Sequence, residues 1–334
     1  MKHIISISPF CAEIFSWATW RISFIVSLLQ NESKVSEFYR WTKLKSNLLK
    51  KNIFFGSPNK FIHLLDIRIL RRIYLSDKNS LIYCHHIWSS LYGIFARIFF
   101  NRKYIFDDHN VEFDCMNSRK RPVSALFIYV LEFLAIYFSD KTVVSSLEDM
   151  VRIQQLYWLK KAIEVSENKY IPKNNNPFLS RRDFYSPLWI EPDKKLLLFF
   201  ASFDYSPNRE ALTFIQKDII PYLDDSYHVI VAGLGSENFP STSKVTYLWF
   251  FNDIDLLIKM SDIIIAPIFS GWGVKIKVVQ SLALKKYIIT TQEGIRWIHN
   301  YDAWLIALAH KWNFLEVIVN TCNCHFKSTE VWLL

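Results

Sequence analysis

Residues 196–219 read LLLFFASFDYSPNREALTFIQKDI. Within them Leu196–Ala201 is an unbroken apolar run, the pattern of a strand covered on both faces. Ser206 followed by Pro207 reads as an N-cap with proline in the first helical position. Leu212, Ile215 and Ile219 then recur at the spacing of one helix face. A doubly covered strand feeding an amphipathic helix is the repeating unit of a parallel α/β sheet. Downstream the same alternation predicts strands at His228–Ala232, Val245–Leu248, Ile263–Ala266 and Tyr287–Thr291, and helices at Asp253–Met260 and Lys275–Leu284. Upstream it predicts strands at His3–Ser8, Leu81–His85, Tyr104–Asp107, Lys141–Ser145 and Lys169–Ile171, and helices at Ser89–Phe100 and Ser124–Phe138. The polar, turn-rich run Pro172-Lys173-Asn174-Asn175-Asn176-Pro177 separates the two series as a linker. The expected organisation is a first doubly wound domain over 1–172 and a second over 178–310. A helical tail over 311–334 is expected to pack back on the first domain.

Bulk composition fits two domains. The 334 residues are 51% hydrophobic and 21% charged, which excludes a disordered chain. The net charge of +9 is uneven: residues 1–185 hold 27 Lys+Arg against 16 Asp+Glu, whereas residues 186–334 hold 13 against 15. A basic first half suits an anionic membrane surface or a phosphate-bearing acceptor. Lys50-Lys51, Arg71-Arg72 and Arg119–Arg121 are its clusters, and Trp17, Trp20 and Trp88 its interfacial anchors. No nucleic-acid-binding motif accompanies the charge. Five cysteines without framework spacing argue against a disulfide scaffold. Cys322, Cys324 and His325 lack the second ligand pair of a zinc site, and neither a metal nor a cofactor is expected. The most apolar run, Val123–Phe138, is shorter than the about 20 residues of a spanning helix. Met1–Pro9 reads as a first strand rather than a signal peptide. The expectation is a cytoplasmic protein resting on a membrane face.

Only seven glycines occur, against about 23 for an average usage of about 7%. Gly233, Gly235, Gly271, Gly273 and Gly294 all follow expected strands of the second half, on the rim where open α/β sheets bind ligands. The segment 269–277, FSGWGVKIK, opens a helix, whose backbone N–H groups attract phosphate. Gly273, Lys277 and Gln280 fall at i, i+4 and i+7, on one helix face. That layout suits a nucleoside diphosphate, with phosphates at the loop and ribose further along. Lys275 has either solvent or phosphate as its neighbour. The segment contains neither a Walker Gly-Lys-Ser/Thr nor a Gly-x-Gly-x-x-Gly fingerprint.

These residues carry a resemblance. The run from Ser202 to Leu212, with Asp204-Tyr205-Ser206-Pro207-Asn208, resembles the opening of the C-terminal domain of glycosyltransferase family 4, in the subgroup with a D-Y-x-P-N turn. Ala232-Gly233-Leu234-Gly235, Ser261–Pro267 and Gly271–Ala283 follow in family order. In the first half Asp108-His109-Asn110-Val111-Glu112 resembles the H-N-x-E loop. Val143-Val144-Ser145-Ser146 with Glu148 resembles V-V-x-S-E, and Tyr170-Ile171-Pro172-Lys173-Asn174 the interdomain V-I-P-N.

The resemblance implies a GT-B fold: two Rossmann-like, doubly wound parallel-sheet domains facing a central cleft. It implies retaining, metal-independent transfer of a sugar from a UDP- or GDP-sugar to a glycan, lipid-linked or other acceptor. Gly271, Gly273 and Lys277 would meet the donor phosphates and Gln280 the ribose. Ser202, Asp204, Tyr205, Asn208, Gly233, Trp272, Val274 and Lys275 would surround the donor. His109 would stand at the cleft as a catalytic residue with Lys277, and Asp108, Asn110 and Glu112 on the acceptor side. The chain departs from the family where Trp272 and Gln280 replace the two glutamates of its Glu–seven residues–Glu signature. It departs again where Ser8–Ala12 lacks glycine, and where no Arg or Lys follows Leu196–Ala201. These departures keep a degenerate, non-catalytic glycan- or partner-binding protein as the alternative. Gln280→Glu is expected to improve donor affinity by about 1 kcal/mol, since a carboxylate accepts with charge assistance.

Overall fold

The computed structural model describes residues 3–10, 17–41, 66–118, 121–159, 161–166, 170, 172, 180–249, 251, 253–271, 273–299 and 301–330. The chain divides into two units, Met1–Asn168 and Lys169–Leu334.

In the first unit β1 (His3–Phe10), β2 (Lys34–Trp41), β3 (Leu81–His85), β4 (Tyr104–Asp108), β5 (Lys141–Val144) and β6 (Ile163–Val165) form one sheet. Its order is β2-β1-β3-β4-β5-β6, parallel throughout. Between these strands run α1 (Trp17–Glu32), α2 (Ile67–Leu75), α3 (Ile87–Phe100), α4 (Glu112–Ser118), α5 (Pro122–Phe138) and α6 (Leu147–Tyr157). The last strand is Ile163–Val165, upstream of the expected Lys169–Ile171. Glu164 is exposed between two half-buried residues, the pattern of a short, charged sheet edge. Lys169, Ile171 and residues 173–177 of the expected linker lie outside the described residues.

The second unit holds β7 (Lys195–Phe200), β8 (Tyr227–Ala232), β9 (Val245–Leu248), β10 (Ile263–Ala266), β11 (Ile288–Thr290) and β12 (Ile306–Leu308). Its sheet is also parallel, in the order β12-β11-β10-β7-β8-β9. Its helices are α7 (Arg181–Tyr185), α8 (Ser206–Phe214), α9 (Ile254–Met260), α10 (Ile276–Ala283), α11 (Gln292–Ile295) and α12 (Phe314–Glu330).

The unbroken apolar run in β7 has a direct cause. Leu197 and Phe199 join one hydrophobic core, and Leu196, Leu198 and Phe200 the other, on the opposite face of the sheet. In β10, Ile263 and Ile265 divide from Ile264 and Ala266 in the same way. Each large side chain so buried contributes roughly 1.5–3 kcal/mol before the entropy of ordering is set against it. Leu212, Ile215 and Ile219 enter the first of these cores, as their spacing predicts. Phe314, Ile318 and Cys322 enter it from α12 at four-residue intervals, and burial pushes the Cys322 thiol up to about 12.

One cap differs from expectation. Tyr205, not Ser206, is the N-cap of α8, and Ser206 and Pro207 are its first two residues. The preceding loop is tied down by other means. Asn208 Nδ2 donates to the Ser202 carbonyl, and Arg209 donates to the carbonyls of Phe203 and Asp204.

At the end of β8, Gly233 has φ +131°, and an added Cβ would lie 1.9 Å from the Ala201 carbonyl oxygen. That contact is with backbone, so no side chain can yield. We therefore expect Gly233→Ala to lower stability by ~2 kcal/mol or more in urea denaturation, from strain and overpacking combined. An unchanged midpoint would contradict this reading of the turn.

Candidate functional site

Strand order in the second sheet reverses between β7 and β10, because the chain winds one way through β8 and β9 and the other through β10, β11 and β12. Open α/β sheets bind ligands beyond the carboxyl ends of their strands at such a point. Two segments meet there: the one after β7, which carries Ser202, Asp204, Tyr205 and Asn208, and the one after β10, which carries Gly271 to Lys277. Ser270 Oγ donates to Glu210 across the gap at 2.9 Å, and Lys277 Nζ donates to Asn208 Oδ1 at 2.8 Å. A Cβ on Gly271 would stand 3.1 Å from the Tyr205 hydroxyl, so glycine is what admits this approach. Gly271 and Gly273 have φ of +120° and +74°, as their place in the loop requires. Val274 is buried and Asp204 exposed; Trp272 lies outside the described residues.

The two lysines of this loop have separate duties. Lys275 is buried, and its ammonium donates to the carbonyls of Gly271 and Gly273, at 2.9 Å each. It also reaches Glu293 at 3.4 Å and lies over the Trp297 ring. Its ammonium is thus turned into the loop rather than to solvent. The carbonyls of both glycines are turned toward this ammonium, and buried carbonyls require a donor. Burial lowers its pKa, against the pull of Glu293. Lys277 is partly exposed as a residue, but its ammonium lies deep, beside Asn208 and 4.7 Å over the Phe199 ring. Desolvation, with Lys275 second, pushes it down to about 7.

The helix face expected for Gly273, Lys277 and Gln280 is made by the last two alone, since α10 begins at Ile276 and Lys275 is its N-cap. Gln280 is buried, and its Nε2 donates to Asp255 Oδ1 at 2.9 Å and to the Tyr170 hydroxyl at 3.0 Å. This geometry reverses the expected gain from Gln280→Glu. A carboxylate there would face Asp255 at hydrogen-bond distance in a buried setting, where like charges repel strongly. Gly294 also has a different reason from the rim glycines: a Cβ there would lie 2.0 Å from Thr290 Oγ1, so it is a packing glycine.

In the first unit, Asp107, the last residue but one of β4, is the hub of a buried network. Arg21 donates to its Oδ1 from Nη2 at 2.6 Å and from Nε at 3.1 Å, and His85 Nδ1 meets its Oδ2 at 2.9 Å. His109 Nε2 lies 3.3 Å from the same oxygen. Burial would raise the Asp107 pKa, but Arg21 and His109 hold it well below the usual carboxylate range. Burial lowers His109 to about 4, so its imidazole is neutral at pH 7. Ligand atoms of His85, Asp107 and His109 lie within 4.8 Å of one another, a spacing a metal ion could bridge. The Arg21 guanidinium on the same carboxylate opposes a second cation.

Asp108 and Glu112 are buried and belong to an acidic cluster with Glu132. Glu112 pairs with His86 at 3.2 Å, and Asn110 is the partly exposed member of the turn. Burial, then Glu132 and Glu112, raise Asp108 well above its ordinary range, and burial lifts Glu132 to about 8. The pair therefore holds a proton at neutral pH. Glu132 accepts from the backbone N–H groups of Glu112 and Phe113 and from the Tyr157 hydroxyl, so it caps the first turn of α4. The lone charge in an apolar helix was a signal for this role. Nothing in the spacing pointed to Arg21, His86 or Asp255.

Comparison with known proteins adds to this geometry. Residues 194–322 match the family model described as "Glycosyl transferases group 1". Among curated proteins no sequence matches the chain. Among solved structures, HepE from Anabaena in complex with UDP and glucose is similar at a TM-score of 0.70 and 13% identity, covering 96% of this chain and 89% of that one. WaaG, a glycosyltransferase involved in lipopolysaccharide biosynthesis, gives 0.65 at 10% identity, covering 94% and 89%. A glycosyltransferase from Rickettsia africae gives 0.63 at 16%, covering 98% and 88%. The fold is thus that of the GT-B glycosyltransferases.

The lysine geometry predicts a split phenotype. Lys275→Ala should lower stability by about 2–3 kcal/mol, because two loop carbonyls and Glu293 lose a buried donor. Lys277→Ala should leave stability unchanged or raise it near pH 7, since it removes a desolvated cation. Chemical denaturation and calorimetry of both variants check this, and equal stability losses would count against it.

Proposed function

We propose that this protein is a retaining, metal-independent glycosyltransferase that moves a sugar from a UDP- or GDP-sugar to a glycan, lipid-linked or other acceptor. The observation that carries the reading is the switch-point loop. Two positive-φ glycines, tied back by Lys275, lead into a helix N-terminus with the Lys277 ammonium beside it, inside the matched stretch. HepE is described in complex with UDP and with UDP-glucose, which supports a nucleotide-sugar donor here.

In the proposed reaction the bond from the anomeric carbon to the diphosphate oxygen breaks. The acceptor oxygen bonds to the same face of that carbon, and its proton passes to the leaving diphosphate. Lys277 and the N–H groups opening α10 balance the charge on the leaving group. A neighbouring diphosphate favours the cationic form of Lys277 and raises its pKa. His109 is the proposed catalytic residue of the first domain, and Asp108, Asn110 and Glu112 form its acceptor-side turn. Ser202, Asp204, Tyr205, Asn208, Gly233, Trp272 and Val274 line the donor in this reading, with Gln280 at the ribose.

The first domain is proposed to rest on an anionic cytoplasmic membrane face. Val123, Leu126, Phe127, Val130 and Tyr137 of α5 are exposed, and the helix carries no charged residue besides the buried Glu132. Arg121, the residue before α5, is exposed, as are Arg71 and Arg72 of α2. Among the described residues no helix is long and apolar enough to cross a membrane.

Two measurements test these proposals. UDP or GDP at a hundred-fold excess over Kd should raise the melting temperature by roughly 5–10 °C, and the matching nucleotide sugar should be slowly hydrolysed without acceptor. A melting curve indifferent to both nucleotides removes the donor site; binding without turnover across a donor panel favours the degenerate binder. In flotation with anionic vesicles at low salt the protein should rise with the lipid, and Phe127→Ser should reduce the floated fraction several-fold. Retention of the wild type in the soluble fraction rejects the membrane reading alone.

A further inference from the structure

The first sheet reverses its winding between β1 and β3, since the chain turns one way into β2 and the other through β4, β5 and β6. Open α/β sheets bind ligands beyond the carboxyl ends of their strands at such a point. His86 follows β3 there and is the N-cap of α3. Its backbone has φ 68° and ψ 154°, a region that residues with side chains rarely adopt. A strained strand-to-helix turn presents its side chain above the carboxyl edge of a sheet. The Trp88 N–H donates to His86 Nδ1 at 3.4 Å, so the ring proton sits on Nε2, which lies 3.2 Å from Glu112 Oε1. His86 thereby takes up a donor that the α3 terminus would otherwise offer to an anion. Side-chain exposure is 11% for His86 and 8% for Glu112, whereas His109, whose ring is 5.6 Å from that of His86, has none. The accessible side of this histidine cluster is therefore the His86–Glu112 pair.

The charge around the pair has one sign. Burial would raise the Glu112 pKa, but His86 and Asn110 hold it below the usual range, so Glu112 is ionised. Asp108 and Glu132 stand behind it, with Asp149 of α6 beyond. Arg21 and Arg152 are engaged by Asp107 and Asp114. An ionised carboxylate only accepts hydrogen bonds, so the group that completes it must donate. A second anion placed there would be repelled. We propose that His86 and Glu112 set acceptor specificity in the first domain: Glu112 accepts from a hydroxyl of an uncharged sugar or polyol, and that hydroxyl accepts from His86 Nε2–H. The proposal deepens the transferase reading above and rests on it. The hydroxyl held here is a neighbour of the reacting one, whose proton passes to the leaving diphosphate. A phosphate group next to it is excluded, so the basic charge of the first half serves the membrane face and not this end of the acceptor.

The test follows sugar transfer by the full chain from the nucleotide sugar to glycerol and to methyl mannoside, each set against its phosphate monoester. Wild type, Glu112→Gln and His86→Gly are compared, with melting curves as the folding control. Glycine adopts the φ of this turn without strain, so His86→Gly removes the imidazole and keeps the backbone. Wild type should prefer the uncharged member of each pair by about ten-fold or more, the scale of a like-charge contact at a partly buried site. Glu112→Gln should cut that preference several-fold, because the repelling charge is gone. His86→Gly should raise the acceptor KM several-fold. The donor KM should stay the same in both variants, which a general loss of structure would not allow. Wild type that prefers the phosphate esters, or a Glu112→Gln variant whose preference is unchanged, overturns the proposal. If Glu112→Gln does not fold, an unchanged acceptor KM in His86→Gly overturns it instead. Wild type that hydrolyses the donor yet passes sugar to none of these acceptors defeats this inference alone, whereas wild type that binds no nucleotide defeats the donor reading beneath it.

Discussion

The second domain depends on the burial of β7 from both sides. Leu196, Leu198 and Phe200 cannot share a core with Leu197 and Phe199, so helices must cover each face of the sheet. Covering both faces of a parallel sheet requires the chain to wind in opposite senses from a central strand. That reversal places the carboxyl ends of β7 and β10 side by side with their loops diverging, and the candidate site occupies the opening. A demand of hydrophobic packing thereby fixes where polar chemistry can be presented.

Satisfaction of buried polar groups then decides what the loop residues do. Lys275 and Lys277 are two residues apart, yet one is held by carbonyls and the other by a side-chain oxygen. Glycines at Gly271 and Gly273 create the inward carbonyls, and Lys275 answers them. Lys277 is left with Asn208 and an aromatic face, which stabilise a cation less than water does, and its pKa falls to about 7 accordingly. The first domain repeats the logic with acids. Glu132 holds the backbone that follows His109, while Arg21 and His85 fix the Asp107 carboxylate against which His109 rests.

Much of the fold was legible because it is written in period and composition. Leu81–His85, Val245–Leu248 and Ile263–Ala266 match the expected strands to the residue, and each opens directly after a polar residue, Ser80, Lys244 and Asp262. Ile163–Val165 was not legible as a strand, because it is short, half-buried and interrupted by Glu164; Lys169 and Ile171 of the strand expected nearby lie outside the described residues. At the site, the glycine loop and Lys277 were legible from spacing. The duty of Lys275 was not, since it depends on where the backbone turn at Gly271 and Gly273 sends their carbonyls. Nor was the Asp255–Gln280 pair, because residues 25 apart on different helices share no sequence period. A family resemblance supplies residue types at positions; it does not say which neighbours those residues are bonded to.

The central claim is that Lys277 stands where a nucleoside diphosphate binds. Its ammonium titration can be followed directly by NMR of isotopically labelled lysine, with Lys277→Arg to assign the signal. Without nucleotide the group should titrate near pH 7, since burial disfavours its charged form. With saturating UDP or GDP the midpoint should rise by one unit or more, roughly 1.4 kcal/mol of preference for the cation per unit. A Lys277 titration that stays the same under saturating nucleotide would contradict the account.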